Sequence, residues 1–173
     1  MSQQTDIFHQ PDEPKYCFDT SVFLNFLIIS DSEPYGMDVM ASGWEYIQQK
    51  MASGKIIAPK AVYDELKKRE DTVPGLKDWL KQHSNAFLPV DTPLITAAKP
   101  IVLKYDVYAT DKGDYGDLMV MSFAKSRNLT VVTSEVRKDQ HKQLHPKIPN
   151  VCDEFDVQCR SVIQFFRDEG LNF

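Results

Sequence analysis

Short apolar runs alternate along the chain with longer segments whose apolar residues recur every three or four positions. The runs at 16–19, 55–58 and 87–90 have the length of buried strands, and a helical pattern follows each of them. Strands that alternate with helices predict a parallel sheet covered on both faces, because parallel strands need crossover connections. We therefore predict an α/β fold with three layers, α/β/α, around a central and mainly parallel sheet of four or five strands.

The remaining boundaries follow from helix caps, prolines and glycines. Residues 1–15 are predicted to be a polar tail and residues 16–173 a single domain, with a turn-rich loop at 106–113. The predicted strands are 16–19, 55–58, 87–90, 130–133 and 157–160. The predicted helices are 22–29, 38–52, 60–70, 74–82, 93–105 with an interruption at Pro100, one that Asp117 opens, 151–155 and 161–168.

One stretch, residues 113–135, joins a helix and a strand to two acids. Asp117 shares a helix face with apolar residues three, four and seven positions further on, although an uncompensated buried carboxylate is unfavourable. The strand 130–133 then leads to Glu135, which by itself also fits an ordinary loop acid. Ligand sites of open α/β sheets lie at the carboxyl ends of strands. We therefore expect this stretch to supply half of an acidic metal site.

The other half is expected upstream, although each acid has an ordinary alternative. Asp19 ends the first strand, where it also fits a helix N-cap. Glu65 lies at the margin of an apolar helix stripe, where it also fits a solvated acid paired with Arg69 at i+4. Asp117 in turn fits the third position of a helix capped by Asp114.

Taken together, the four acids indicate a divalent cation. Carboxylates about 4 Å apart repel by roughly 4 kcal/mol per pair at an effective dielectric constant near 20, so they need protons or a counter-charge. Hard oxygen ligands favour Mg²⁺ or Mn²⁺ over zinc, and such a site suits phosphodiester hydrolysis. The sequence contains no GxxxxGK[ST], GxGxxG or GxSxG motif that would indicate another chemistry.

Composition indicates which partners and which cellular environment suit this chemistry. The net charge of −5 gives no overall attraction to nucleic acid or anionic membranes, so a nucleic-acid surface must be local. Three sparse cysteines favour reduced thiols. The start of the chain has no secretory signal pattern, and the apolar run 22–29, which contains Asn25, is too short to span a bilayer. We expect a cytoplasmic protein without a membrane segment.

A basic-rich stretch follows directly after Glu135 and contains Arg137, Lys138, His141, Lys142, His145 and Lys147. A local cationic strip beside an acidic pocket is able to hold phosphates despite the negative total, and an ordinary solvated loop fits equally well. We take Arg137, Lys138 and Lys142 as candidate substrate-binding residues. The two histidines are spaced i, i+4 without an intervening glutamate, which favours surface histidines over a zinc pair.

These residues resemble the PIN-domain nucleases over roughly residues 15–166. The first matching motif is Phe18-Asp19-Thr20-Ser21, and the second is PKAVYDEL, which contains Glu65. The most specific is DLMVMSFAKSRNLTVVTSE, at 117–135. The segment at 147–166 is similar to a PIN-like branch of bacteria and archaea that resembles the toxins of toxin–antitoxin pairs.

The resemblance implies a Mg²⁺- or Mn²⁺-dependent endoribonuclease that cleaves single-stranded RNA, is inhibited by a cognate antitoxin protein and is often a homodimer. It implies that the metal ligands and catalytic acids are Asp19, Glu65, Asp117 and Glu135. Supporting roles fall to Ser21, Thr133 and Asp114. Much of the family has aspartate where this chain has Glu135, so the longer side chain is expected to bind the metal weakly or through water.

Two alternatives remain open at this point. A catalytically silent PIN-like domain would bind RNA or a protein partner, and the glutamate at position 135 keeps that reading open. A phospho-acceptor receiver domain also clusters acids at strand ends. It needs an acceptor aspartate after the third strand and a lysine after the fifth, which 87–90 and 157–160 do not clearly supply.

Overall fold

Five parallel strands form one central sheet within the residues that the structure, a computed structural model, describes: 12–31, 35–110, 114–139 and 145–172. The strand order is β3-β2-β1-β4-β5. The strands are β1 (Tyr16–Phe18), β2 (Ile56–Pro59), β3 (Phe87–Leu88), β4 (Thr130–Val132) and β5 (Cys159–Arg160). The candidate residue Lys142 lies outside the described ranges.

Helices flank this sheet and confirm the predicted three-layer α/β/α class. They are α1 (Thr20–Leu27), α2 (Ala41–Ala52), α3 (Lys60–Lys67), α4 (Leu76–Gln82), α5 (Thr92–Lys104), α6 (Val107–Thr110), α7 (Tyr115–Arg127), α8 (Ile148–Glu154) and α9 (Val162–Asp168). No helix among the described residues is long and apolar enough to cross a membrane.

Three local predictions were wrong, each for an identifiable reason. Helix α5 continues through Pro100, whose exposed position tolerates the loss of one backbone hydrogen bond. Helix α8 begins at Ile148 rather than at residue 151, because Pro149 fits the first turn of a helix. The segment predicted as a loop at 106–113 contains the short helix α6.

The central strand β1 lies between β2 and β4, and its register positions the site. Phe18 pairs with Val132, and the backbone N–H of Asp19 donates to the Val132 carbonyl at 3.0 Å. Because these strands are parallel, the residues that follow them, Asp19 and Thr133, lie side by side. The sheet grows from β1 towards β2 and later from β1 towards β4, so the strand order reverses here. Such a topological switch point forms a crevice at the carboxyl ends of the strands.

The core on both sides of the sheet is apolar and aromatic. All residues of β1 and β2 are buried, as expected for strands that are covered on both faces. Phe165 of α9 makes edge-to-face contacts with Tyr16 and Phe18, with ring centroids 4.8 and 5.1 Å apart. The packing of α9 on β1 therefore fixes the strand that ends in Asp19.

A charged cluster closes the opposite, amino edge of the sheet around Glu169. Its carboxylate, whose side chain is 3% exposed, accepts hydrogen bonds from Lys15, Tyr16, Tyr46 and Lys55. Burial opposes the charge, but these donors outweigh it and lower the pKa of Glu169 to about 2. The acid is thus fully compensated at this edge.

Residues 12–15 of the predicted tail are hydrogen-bonded to the domain, whereas residues 1–11 lie outside the described part of the chain. The backbone N–H groups of Asp12 and Lys15 donate to the carbonyls of Ser53 and Lys55, each at 2.9 Å. This segment therefore runs beside the start of β2.

Candidate metal centre

All four predicted acids line one pocket of about 390 Å³ at the carboxyl edge of the sheet. The pocket is lined by Asp19, Thr20, Ser21, Leu24, Glu65, Lys68, Arg69, Asp117 and Glu135. The acids come from four separate parts of the chain: the end of β1, helix α3, the first turn of α7 and the loop after β4. The fold therefore brings together the acids that the sequence patterns single out.

Asp19 is buried at the end of β1 and is held by two hydroxyl groups. Its Oδ2 accepts from Ser21 Oγ at 2.5 Å and from Thr133 Oγ1 at 2.9 Å. It occupies the N-cap position of α1, but its side chain makes no capping hydrogen bond. Burial raises the pKa of its carboxyl, although the two hydroxyl donors oppose the shift. The bonds leave Oδ1 without a hydrogen bond from the described residues.

Glu65 reaches the pocket from the last turn of α3. Its Oε2 accepts a very short hydrogen bond from Thr20 Oγ1, and within the described chain it forms no ion pair with Arg69. Helix α7 passes close to this carboxylate at Gly116, where an added Cβ would overlap the carboxylate oxygens. The glycine thus makes room for Glu65 between the two helices.

Gly116→Ala is therefore expected to move the Glu65 carboxylate and weaken Mn²⁺ binding about 10- to 100-fold, the usual effect of disturbing a group that orients a metal ligand. Gly116 lies inside α7, where alanine has the higher helix propensity, so we expect no loss of folding stability beyond the local adjustment. Calorimetric titration with Mn²⁺ and urea unfolding measure the two effects separately. Unchanged Mn²⁺ affinity would show that Gly116 does not position Glu65.

Asp117 is the most strongly perturbed acid of the pocket. It lies in the first turn of α7, partly buried, and receives no hydrogen bond from the described residues. Burial is the largest cause that raises its pKa to about 8, and the neighbouring charges of Asp19, Glu135, Glu65 and Asp114 add to it. A carboxylate with such surroundings is stabilised by a nearby cation.

Asp114 precedes Asp117 by one turn but does not cap the helix with its side chain. Its Oδ2 instead lies 2.6 Å from Nδ1 of His145, which is half-exposed. His145 therefore contacts an acid beside the pocket, and its spacing partner His141 lies outside the described residues.

Glu135 lines the pocket, but both of its carboxylate oxygens have partners. Lys147 Nζ lies 2.6 Å from Oε1, and the backbone N–H of Ile148 donates to Oε2 at 2.8 Å. The hydrogen bond to Glu135 raises the pKa of Lys147. Glu135 thus connects the loop after β4 to the start of α8, and its charge is already compensated.

The candidate substrate-binding residues do not line the acidic pocket where they are described. Arg137 forms a bidentate pair with Asp153, with both contacts at 2.7 Å, and these bonds lower the pKa of Asp153. The backbone of Lys138 exchanges two hydrogen bonds with the side chain of Asn150. Arg137 and Lys138 are therefore held against α8.

Two cations of the pocket were missed by the sequence reasoning. Lys68 and Arg69 lie at the C-terminal end of α3, three and four positions after Glu65, and both line the acidic pocket. The i+3 and i+4 spacing was the available signal, because it places them on the same side of the helix as Glu65. From sequence alone, however, this spacing favours an ordinary ion pair between Arg69 and Glu65.

The donor chemistry of the pocket fits a hard divalent cation. Asp117, Oδ1 of Asp19 and Oε1 of Glu65 receive no hydrogen bonds from the described residues, and burial disfavours the charges of Asp19 and Asp117. Carboxylate oxygens of this kind suit Mg²⁺ or Mn²⁺. Their side chains are not gathered on one point, since no group of three or more His, Cys, Asp or Glu residues in the described ranges is close enough to hold a metal ion as it stands.

The fold and the pocket define an α/β/α domain with an acidic site at the switch point of its sheet. Residues 16–173 match the family described as a domain of unknown function (DUF4411), so the chain belongs to that family. No curated protein matches the chain.

Proposed function

We propose that the protein is a Mg²⁺- or Mn²⁺-dependent endoribonuclease that cleaves single-stranded RNA. The observation that carries the proposal is the group of poorly compensated carboxylates, with Asp117 at its centre, in a pocket that also contains Lys68 and Arg69. Phosphodiester hydrolysis by a metal enzyme requires carboxylates that bind the metal and basic side chains that bind the phosphate. The pocket contains both kinds of side chain. The motif resemblance to PIN-domain nucleases supports RNA as the substrate.

Asp19, Glu65 and Asp117 would hold the cation. A bound Mg²⁺ or Mn²⁺ supplies a water of lowered pKa and stabilises charge on the phosphate. Ser21 and Thr133 hold the Asp19 carboxylate in place through their hydroxyl groups, which leaves its second oxygen for ligation.

The remaining residues of the pocket position groups around this centre. Thr20 orients Glu65, and Lys68 with Arg69 binds the substrate phosphate next to the acids. Glu135 pairs with Lys147, so its role in the proposal is to close the site as a positioning group or a ligand through water.

The biological setting is proposed from the resemblance alone. We propose that the protein acts in the cytoplasm as the toxin of a toxin–antitoxin module, as a homodimer that a cognate antitoxin protein inhibits. Co-expression with the product of an adjoining short reading frame tests this setting, because an antitoxin would suppress RNA cleavage in the cell.

The central test is cleavage of labelled single-stranded RNA by the purified protein with Mn²⁺. We expect cleavage at internal positions, its loss with a chelator and its return with excess Mn²⁺, because the acids need the cation to act. Single-stranded DNA and duplex RNA serve as comparison substrates. Cleavage that survives the chelator would contradict the metal mechanism, and no cleavage of any RNA would contradict nuclease function.

A silent PIN-like domain that binds RNA or a protein is the second candidate. The observation that favours it is the compensated state of Glu135, whose oxygens are both engaged by the start of α8. This reading predicts RNA binding that is unchanged by a chelator and is not followed by cleavage.

A further inference from the structure

A second pocket of about 340 Å³ adjoins the acidic pocket and shares Glu135 with it. Its lining contains three arginines and one carboxylate, so this pocket is positively charged although the whole chain carries a net negative charge. The lining residues are Thr133, Glu135, Val136, Arg137, Pro149, Cys159, Arg160, Ser161, Gln164 and Arg167. We call this site the arginine pocket.

We propose that the arginine pocket binds the sugar–phosphate backbone of single-stranded RNA beside the bond that is cut. The inference rests on the proposed nuclease function and assigns a substrate-binding site that the acidic pocket does not include. Guanidinium groups suit this ligand, because their planar sets of donors match phosphate oxygens.

Two of the arginines are held in place and keep donors for a ligand. Arg137 uses Nε and Nη2 for Asp153, which leaves Nη1. Arg160 uses Nε for Asp168 and Nη1 for the carbonyl of Cys159, which leaves Nη2. Such anchored guanidinium groups lose little side-chain entropy when they bind a phosphate.

Arg167 is the arginine of this pocket that has no competing partner among the described residues. Within the described part of the chain its side chain makes no hydrogen bond or ion pair, although it lies on α9 beside the two anchored arginines. Ser161 and Gln164 engage each other in a capping box, with the hydroxyl proton and the amide NH₂ group left over as donors. The pocket thus offers several unused donors to an anion.

Basic residues lie on both sides of the acidic pocket, so an RNA strand is able to bind across it. Lys68 and Arg69, which follow α3, lie on the β2 side of the acids, whereas the arginine pocket lies on the β5 side. Between them stands Glu135, whose charge Lys147 compensates, so it repels a passing phosphate less than a free carboxylate would. A strand held on both sides of the acids is cut internally, as an endonuclease requires.

The test compares Arg167→Gln with Lys99→Gln, a control that removes the same charge from an exposed position of α5 outside both pockets. Binding of short fluorescent single-stranded RNA is measured by anisotropy in an Asp117→Asn background, so that no cleavage interferes. We expect Arg167→Gln to weaken binding about tenfold, which corresponds to one charge-assisted hydrogen bond. We also expect the salt dependence of binding to fall by about 0.7 in log–log slope. Arg167→Lys keeps the charge and is expected to retain that slope.

In the cleavage assay, Arg167→Gln in the otherwise native protein is expected to raise KM for RNA while kcat stays near the native value. Equal RNA affinity and salt slope for Arg167→Gln and Lys99→Gln would overturn the arginine pocket, even if the native protein cleaves RNA. Arg167-dependent binding without cleavage by the native protein would support the pocket and contradict the nuclease. Absence of any RNA binding would overturn both.

Discussion

Asp117→Asn is expected to reduce single-stranded RNA cleavage by about a hundredfold to a thousandfold, because a catalytic metal supplies several kcal/mol and each 1.36 kcal/mol is tenfold in rate. The change removes the carboxylate whose charge has the least compensation in the acidic pocket and keeps its size. Initial rates with saturating Mn²⁺, measured for the native and variant proteins on the same RNA, determine the effect.

Asp64→Asn is the matched control for this loss. Asp64 directly precedes Glu65 on α3, but its side chain is 55% exposed and pairs with Lys60 at 2.8 Å, away from the pocket. We expect Asp64→Asn to cleave RNA at the native rate. This result would show that the loss of a nearby acid outside the pocket does not by itself reduce cleavage. Native-like cleavage by Asp117→Asn would exclude Asp117 from the reaction.

Asp117 is also expected to make the metal-free protein less stable as the pH rises. Its pKa is raised from 3.8 to about 8 on folding, so the folded state holds a proton that the unfolded chain has released. The stability that this proton provides is complete below pH 3.8 and is lost progressively as the pH approaches about 8. Urea unfolding across this range, with a chelator present, is expected to show a smaller decrease for Asp117→Asn than for the native protein.

Mn²⁺ is expected to reverse this loss of stability at alkaline pH in the native protein. A ligand that binds the folded state stabilises it by about 2.7 kcal/mol at a hundredfold excess over its Kd. Asp117→Asn should gain much less, because its site lacks one ligand. Equal pH profiles for the two metal-free proteins would contradict the raised pKa, and equal gains with Mn²⁺ would contradict metal binding at Asp117.

The parallel sheet and the proximity of its acids could be predicted from local sequence patterns. The buried runs at 16–19 and 130–133 indicate parallel strands, and parallel strands end at the same edge. Asp19 ends the first run and Glu135 lies shortly after the second, so the pattern predicts that they approach one another. The role of Asp117 in the site could be predicted from its place on an apolar helix face. A carboxylate is unfavourable there unless a partner compensates its charge.

The partners of these acids could not be predicted in the same way. The pairing of Glu135 with Lys147 depends on how the loop after β4 returns to α8, and hydrophobic periodicity carries no information about that path. Arg137 lies in the loop after β4, yet it pairs with Asp153 on α8. The space for Glu65 depends on the close approach of α3 and α7 at Gly116, which is a property of tertiary packing.

The long connection between β1 and β4 also has a consequence for protein synthesis. The hydrogen bond from Thr133 to Asp19 joins residues 114 positions apart, and the central strand is made first. Chains grow at about 5–20 residues per second, so several seconds pass between the synthesis of β1 and that of β4, the second strand that pairs with it. Until residue 135 has left the ribosome, the nascent chain lacks a complete set of acids. A nuclease with this topology would therefore have no complete active site until most of its chain has been translated.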